Sequence, residues 1–249
     1  MDKWKWVIFA GIAVLAIGGL ILTKPQAATF NGDPAKIVAG DHVYGNKDAK
    51  VVVIEYADFQ CPGCGALFSP LKEAKEAYKD KVAFVYRYMP LTSIHPNAKA
   101  AAASAEAAGR QNKFWEMHDL LYSNQNQWSE ASSSSRGGYF EAFAQQLGLN
   151  MDQYRKDIAS QEVSDRIAYD LAIANKAGLQ LSTPTVVING VTIESTKFSE
   201  QSNGQSVFSA KKISEVLDAQ LKAVGETPPS AAAPSTTSET PVTQSNENQ

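Results

Sequence analysis

Cysteine is nearly absent. Two residues in 249, Cys61 and Cys64, stand three apart, and there is no other. That poverty excludes a disulfide-stapled scaffold. Histidine is scarce too: His42, His95 and His118 lie scattered along the chain. A zinc site needs four ligands, or three and a water, so one chain falls short and a site shared across a dimer is the only zinc reading left. A formal net charge of −3 without a basic cluster removes the footprint of a nucleic-acid binder. Phosphate-binding glycine loops, Ser-His-Asp constellations and internal repeats are missing, and Gly65 follows Cys64 where a haem-attachment C-x-x-C-H motif needs histidine. The chain is 44% hydrophobic and 20% charged, enough for an ordinary buried core.

Both ends differ from the middle. An uncharged, mostly apolar run from Trp6 to Thr23 follows Lys3 and Lys5. At 1.5 Å per residue it reaches roughly 27 Å, close to the hydrocarbon thickness of a bilayer. It reads as a transmembrane signal anchor with residues 1–5 as a cytoplasmic stub, Trp4 and Trp6 at the headgroups, and the remainder exported. A cleaved signal peptide is the alternative, although "KPQAATF" offers a poor cleavage site. Residues 24–40 read as a linker. From Gly225 to Gln249 the chain is rich in Pro, Ser, Thr, Gln and Asn, and should be disordered.

The middle, 41–224, has an α/β pattern. "KVVVIEYAD" (50–58) and "KVAFVYRYMP" (81–90) read as buried strands flanking a helix with apolar residues at Leu67, Leu71, Ala74 and Tyr78. Strand, helix and strand at this spacing imply a right-handed crossover and a parallel pair. A helical stretch covers about 96–179, with the serine-rich "SEASSSSRGG" as a loop inside it. Then "TPTVVING" and "VTIE" form a hairpin about Asn189-Gly190, and a last helix closes the domain.

This frame places the cysteines. The first strand ends near Asp58 and Cys61 opens the next helix, with Pro62 in the first turn, where its missing N–H costs nothing. Free N–H groups and the positive helix end favour a thiolate at Cys61. Cys64 lies one turn on, on the same face, within disulfide reach. So small a ring constrains little unfolded-chain entropy, which weakens a structural staple. A redox dithiol fits the position best.

"VVVIEYADFQCPGC" (51–64), the long helical insert and "STPTVVING" (182–190) together resemble the DsbA-like thiol:disulfide oxidoreductases, a thioredoxin-fold family, over roughly residues 40–223. The resemblance implies a thioredoxin fold, βαβ–ββα, with a large helical insertion. It implies that Pro184 is cis and faces the dithiol, leaving Thr183 free to pair with an extended substrate. Glu55, six residues before Cys61, takes the place of a buried carboxylate that shuttles the proton of Cys64, and Arg87 is expected as its cationic neighbour. Phe59, Pro62 and Gly63 shape the site, Gly63 adding no side chain to tune it. Asp58, His95 and His118 read as turn, loop and packing residues.

The resemblance also implies an extracytoplasmic oxidase. Cys61 would be the nucleophile and Cys64 the resolving thiol, with no metal and no cofactor beyond the Cys61–Cys64 disulfide. Its partners would be reduced or unfolded exported proteins and a membrane protein, quinone-linked or similar to vitamin K reductases, that reoxidises it. A reductase or isomerase on this fold is one alternative, and a non-catalytic, chaperone-like binding protein is another.

Overall fold

The computed structural model describes residues 33–229. The expected anchor at 6–23 and most of the expected tail therefore lie outside the described residues. Among the described residues, no helix is long and apolar enough to cross a membrane.

Strand β2 (Val51–Ala57) is apolar on both faces save for one carboxylate, so it can only be central. Helix α1 (Pro62–Tyr78) carries the chain over one face of the sheet to β3 (Val82–Tyr88), which pairs with β2 in parallel along all seven residues. Helix α1 runs unbroken through Pro70. A short β1 (His42–Gly45) borders β3, while β4 (Thr185–Ile188) and β5 (Val191–Ile193) extend the other side, all antiparallel. The order is β1-β3-β2-β4-β5.

Between β3 and β4 lie α2 (Ala98–Gly109), α3 (Phe114–Ser123), α4 (Gln125–Trp128), α5 (Arg136–Gln146), α6 (Met151–Ile158) and α7 (Gln161–Lys176). After β5 come a 3₁₀ turn (Ser195–Phe198), the hairpin β6 (Ser199–Ser202) and β7 (Gln205–Phe208), and α8 (Ala210–Ala223). Asn189 and Gly190 take positive φ of 47° and 84° at the β4–β5 turn. The Asn189 side chain accepts from the Val52 N–H at 2.8 Å and ties that turn to the central strand.

Alternation along β2 sorts its side chains. Val51 and Val53 pack with Leu67 and Leu71 of α1 and with Ile213 and Leu217 of α8. Ala57, on the same face, joins Cys64, Phe68 and the insert residues Phe114, Met117 and Leu121. Ile54 and Tyr56 face the other way, against Ile173 and Ala174 of α7. The site thus lies where the insert meets the sheet and α1.

Register corrects one expectation. Arg87 stands opposite Tyr56, and Glu55 opposite Tyr86, so Arg87 points away from Glu55 through the sheet. There its guanidinium donates to the Asp41 carboxylate at 2.9 and 3.2 Å, to the Tyr56 hydroxyl at 2.8 Å, and to the Pro34 and Lys36 carbonyls at 2.8 and 2.7 Å. It therefore fastens residues 34–41, all but the last of them in the expected linker 24–40, onto the back of the sheet. Arg166 of α7 joins through Asp41 at 3.1 Å and through Asp170.

Removing one partner of such a pair strands an uncompensated buried charge. Asp41→Ala should lower stability by about 3–5 kcal/mol in urea denaturation. Arg155→Ala, which breaks a solvent-facing pair with Glu141, should leave the denaturation midpoint unchanged.

Candidate active site

The chain turns out of β2 through Asp58. One Asp58 carboxylate oxygen accepts the Gln60 N–H at 2.8 Å, and the other accepts the Leu91 N–H at 2.8 Å and His95 Nδ1 at 2.7 Å. Its carbonyl accepts the Cys61 N–H at 3.0 Å. Asp58 is thus the buried knot of the turn that presents the dithiol, and His95 is its partner.

Cys61 takes an extended conformation at the N-cap of α1 and has 8% of its surface exposed, while Cys64 has none. Both are free thiols. The Thr183–Pro184 peptide is cis and lies against them: the Cys61 thiol donates to the Thr183 carbonyl at 3.3 Å. Gly63 permits that approach, since a Cβ there would stand 3.3 Å from Pro184 Cδ and 3.6 Å from Cys61 Sγ.

The two thiols are driven apart electrostatically. Cys61 is brought down from 9.0 to about 5, first by a hydrogen bond from the Cys64 thiol, against a desolvation cost, and then by the Thr183 hydroxyl and the Cys64 and Gly63 N–H groups. The Thr183 hydroxyl is buried without a partner while Cys61 is a thiol, and so is free to serve the thiolate. Cys64 is pushed well above its ordinary range, first by burial, then by Cys61 and Glu55. Glu55 lies on the sheet face toward α1, between Val53 and Ala57, and burial lifts its carboxyl to about 7. The thiolate is therefore at the rim and the proton-holding thiol beneath it.

Phe59 does not border the surface. It is buried in an aromatic cluster with Tyr86 and Tyr122, at centroid distances of 4.9 and 5.0 Å, and His118 closes that cluster. Burial drives His118 down to about 3, which keeps it neutral. Pro62 lines a groove with Ile94, His95, Pro96 and Gln125 beside the thiolate.

Gln125 and Lys75 escaped sequence reasoning. Gln125 donates to the Phe59 and Cys61 carbonyls at 2.7 and 2.9 Å, and Gly65 leaves room for its amide. Gln60 binds the insert in return, accepting the Asn97 N–H at 2.6 Å and donating to the Ser129 carbonyl at 2.7 Å. Nothing in spacing announces glutamine contacts between elements so far apart in sequence. Lys75 is a charged residue on the buried face of α1, which an i, i+11 relation to Cys64 would have revealed. Among the described residues, no group of three or more His, Cys, Asp or Glu is gathered to hold a metal ion.

A pair of thiols at a helix start, facing a cis-proline on a βαβ–ββα sheet, is the arrangement of a thioredoxin fold. A family model described as Thioredoxin matches residues 38–205, and the chain belongs to that family. It is a DsbA-like member, with the thioredoxin α/β fold. Similar solved structures include a thioredoxin-like oxidoreductase from Silicibacter pomeroyi DSS-3, with 24% identity, TM-score 0.59 and coverage of 78% of this chain and 99% of that one. DsbA2 of Pseudomonas aeruginosa matches at 25% identity and TM-score 0.53, covering 77% and 100%. Among curated proteins, Na(+)/H(+) antiporter NhaA 3 of Salinispora tropica is 40% identical over 150 residues, 60% of this chain. The chain spans only 22% of that protein's length.

Two outcomes follow. Iodoacetamide at pH 6 should label Cys61 almost exclusively, and the ultraviolet thiolate signal should titrate with a midpoint of about 5. Reduced protein should also lose stability in acid. An acid with a depressed folded pKa contributes fully above its unfolded value, about 9, and nothing below about 5. At pH 7 the contribution is about 2 kcal/mol after solvent screening. The disulfide form has no such anion, so reduced protein should melt above oxidised protein at pH 7, with the gap closing toward pH 5.

Proposed function

We propose that this protein is a thiol:disulfide oxidoreductase working as an oxidase of exported proteins. The observation that carries the reading is the unequal placement of the two sulfurs: Cys61 at the helix start against the cis Thr183–Pro184 peptide, Cys64 with no exposed surface one turn further in, a placement that favours a thiolate at the first and a thiol at the second. A well-stabilised thiolate is a good leaving group, which makes its disulfide a strong oxidant.

In the oxidising direction, a substrate thiolate attacks Cys61 of the Cys61–Cys64 disulfide. The Cys64 sulfur leaves and takes a proton from Glu55. A second substrate thiolate then attacks the substrate sulfur, closing a substrate disulfide and releasing the Cys61 thiolate. Two electrons pass from the substrate dithiol to the protein. The Thr183–Pro184 segment beside Cys61 offers backbone to an extended substrate strand. The groove along Pro62, Ile94 and Pro96 lies next to it.

The setting belongs to the same proposal. The apolar run 6–23 after Lys3 and Lys5 supports a single-pass anchor in the cell membrane, with the catalytic domain on the extracytoplasmic side. Reduced or unfolded exported proteins are then the substrates. A membrane protein, quinone-linked or like vitamin K reductases, regenerates the disulfide.

Equilibration of the Cys61–Cys64 pair against glutathione tests the direction. A potential above about −200 mV is expected for an oxidase, and one near about −270 mV assigns a reductase. Cys64→Ser should accumulate mixed disulfides between Cys61 and reduced proteins on non-reducing gels. Their absence with a folded variant would leave a binding protein on this fold.

A further inference from the structure

Lys75 is the least expected charge in the domain. It lies on α1 eleven residues after Cys64, three turns along the same buried face as Leu67, Phe68 and Leu71, and keeps only 5% of its surface exposed. Its ammonium rests 4.4 Å from the Trp115 ring centroid and 6.0 Å from that of Tyr44, with no carboxylate in contact among the described residues. A lysine held on aromatic faces in the core is unusual unless a nearby anion needs it. Of the carboxylates on that side of the sheet, Glu106 pairs with His42 at 2.7 Å and accepts from the Tyr88 hydroxyl, Asp119 pairs with Lys72 and His118, and Glu55 is left for Lys75. Arg87, the cation in the neighbouring strand, points the other way. Glu55 itself is buried.

We propose that Lys75 is a positioning residue for the dithiol. Its ammonium holds Glu55 as the carboxylate that takes the proton of Cys64. The inference rests on the thiol–disulfide exchange proposed above. The two groups perturb each other in the required sense: Lys75 draws the Glu55 carboxyl down against the burial that lifts it, and Glu55 draws the lysine up against burial.

Other charged groups pack around this pair from several elements, and the Glu55→Gln arm of the test below separates their titration from that of Glu55. From α3, His118 is neutral, and Asp119 is held below its ordinary value while paired to Lys72 of α1 at 2.6 Å. From β1, the Tyr44 hydroxyl donates to Glu76 of α1, which also pairs with Lys79 at 3.2 Å and is held low. Tyr86 of β3 and Tyr122 of α3 are raised far out of range, chiefly by burial. Asp58, in the turn after β2, is paired with His95. Cys61 is an anion above about 5.

The test uses reduced protein and an aromatic disulfide whose thiolate is coloured. Cys61 thiolate attacks it and releases one thiolate, leaving a mixed disulfide. Cys64 then gives its proton to Glu55 and attacks the Cys61 sulfur, forming the Cys61–Cys64 disulfide and releasing the second thiolate. Two phases are read by stopped flow across pH. In the unaltered protein the second phase should rise with a midpoint near about 7.

Lys75→Met should shift that midpoint up by about one pH unit and slow the second phase several-fold at pH 7, leaving the first phase unchanged. Lys75→Arg should restore it. In a Glu55→Gln background, which lacks the titration, Lys75→Met should add nothing. An unmoved midpoint, or an equal loss at every pH, overturns the proposal while leaving the exchange reading intact. Failure of the first phase overturns both. Should Lys75→Met not fold, the Lys75 side-chain resonances of the unaltered protein must inflect at the Glu55 midpoint and lose that inflection in Glu55→Gln. No inflection refutes the proposal.

Discussion

Seven residues of parallel pairing between β2 and β3 govern the rest of this structure. A parallel pair demands a crossover, and here the crossover is α1, whose first turn must begin where β2 ends. That brings Cys61 to a helix N-terminus. The same register fixes which charges meet. Alternation sends Glu55 to the face under α1 and Arg87 to the opposite face, so two buried charges one strand apart serve unrelated ends: one beneath the dithiol, the other anchoring the entering chain.

The dithiol works through asymmetry imposed by burial. One turn of helix separates the sulfurs, yet one touches the rim and backbone donors, and the other is sealed in the core. Water and N–H groups stabilise an anion; desolvation opposes it. Each thiol also sharpens the other, since the Cys64 S–H donates to the Cys61 thiolate and that anion in turn holds the proton on Cys64. The helical insert closes this arrangement from the side. Gln125 binds the carbonyls of the turn, and Asn97 donates to the Trp128, Ser129 and Ala131 carbonyls, giving the serine-rich loop its anchor.

Local chemistry made much of this legible. Apolar runs marked β2, β3 and β4, Asn189-Gly190 marked the turn, and the helix start around Cys61 and Pro62 followed from strand-to-helix spacing. The hairpin β6–β7 is not legible in this way, although Asn203-Gly204 makes the same positive-φ turn, at 51° and 78°. Its strands, SEQS and QSVF, are mostly polar and lie outside the main sheet, so no apolar period advertised them. Strand β1 is four residues long and reads no differently from the linker before it.

The sequence by itself determined the βαβ–ββα order, the C-P-G-C pair at a helix start and the proline that would face it, because strand period, turn chemistry and helix capping act over a few residues. Tertiary structure decided the partners. That Glu55 is coupled to Lys75 and not Arg87, that Asp58 is a buried knot with His95, and that Gln125 clamps the Cys61 carbonyl all depend on register and on packing of the insert. A buried polar group takes the partner that the fold brings to it, and pairings across tens of residues leave no local pattern to read.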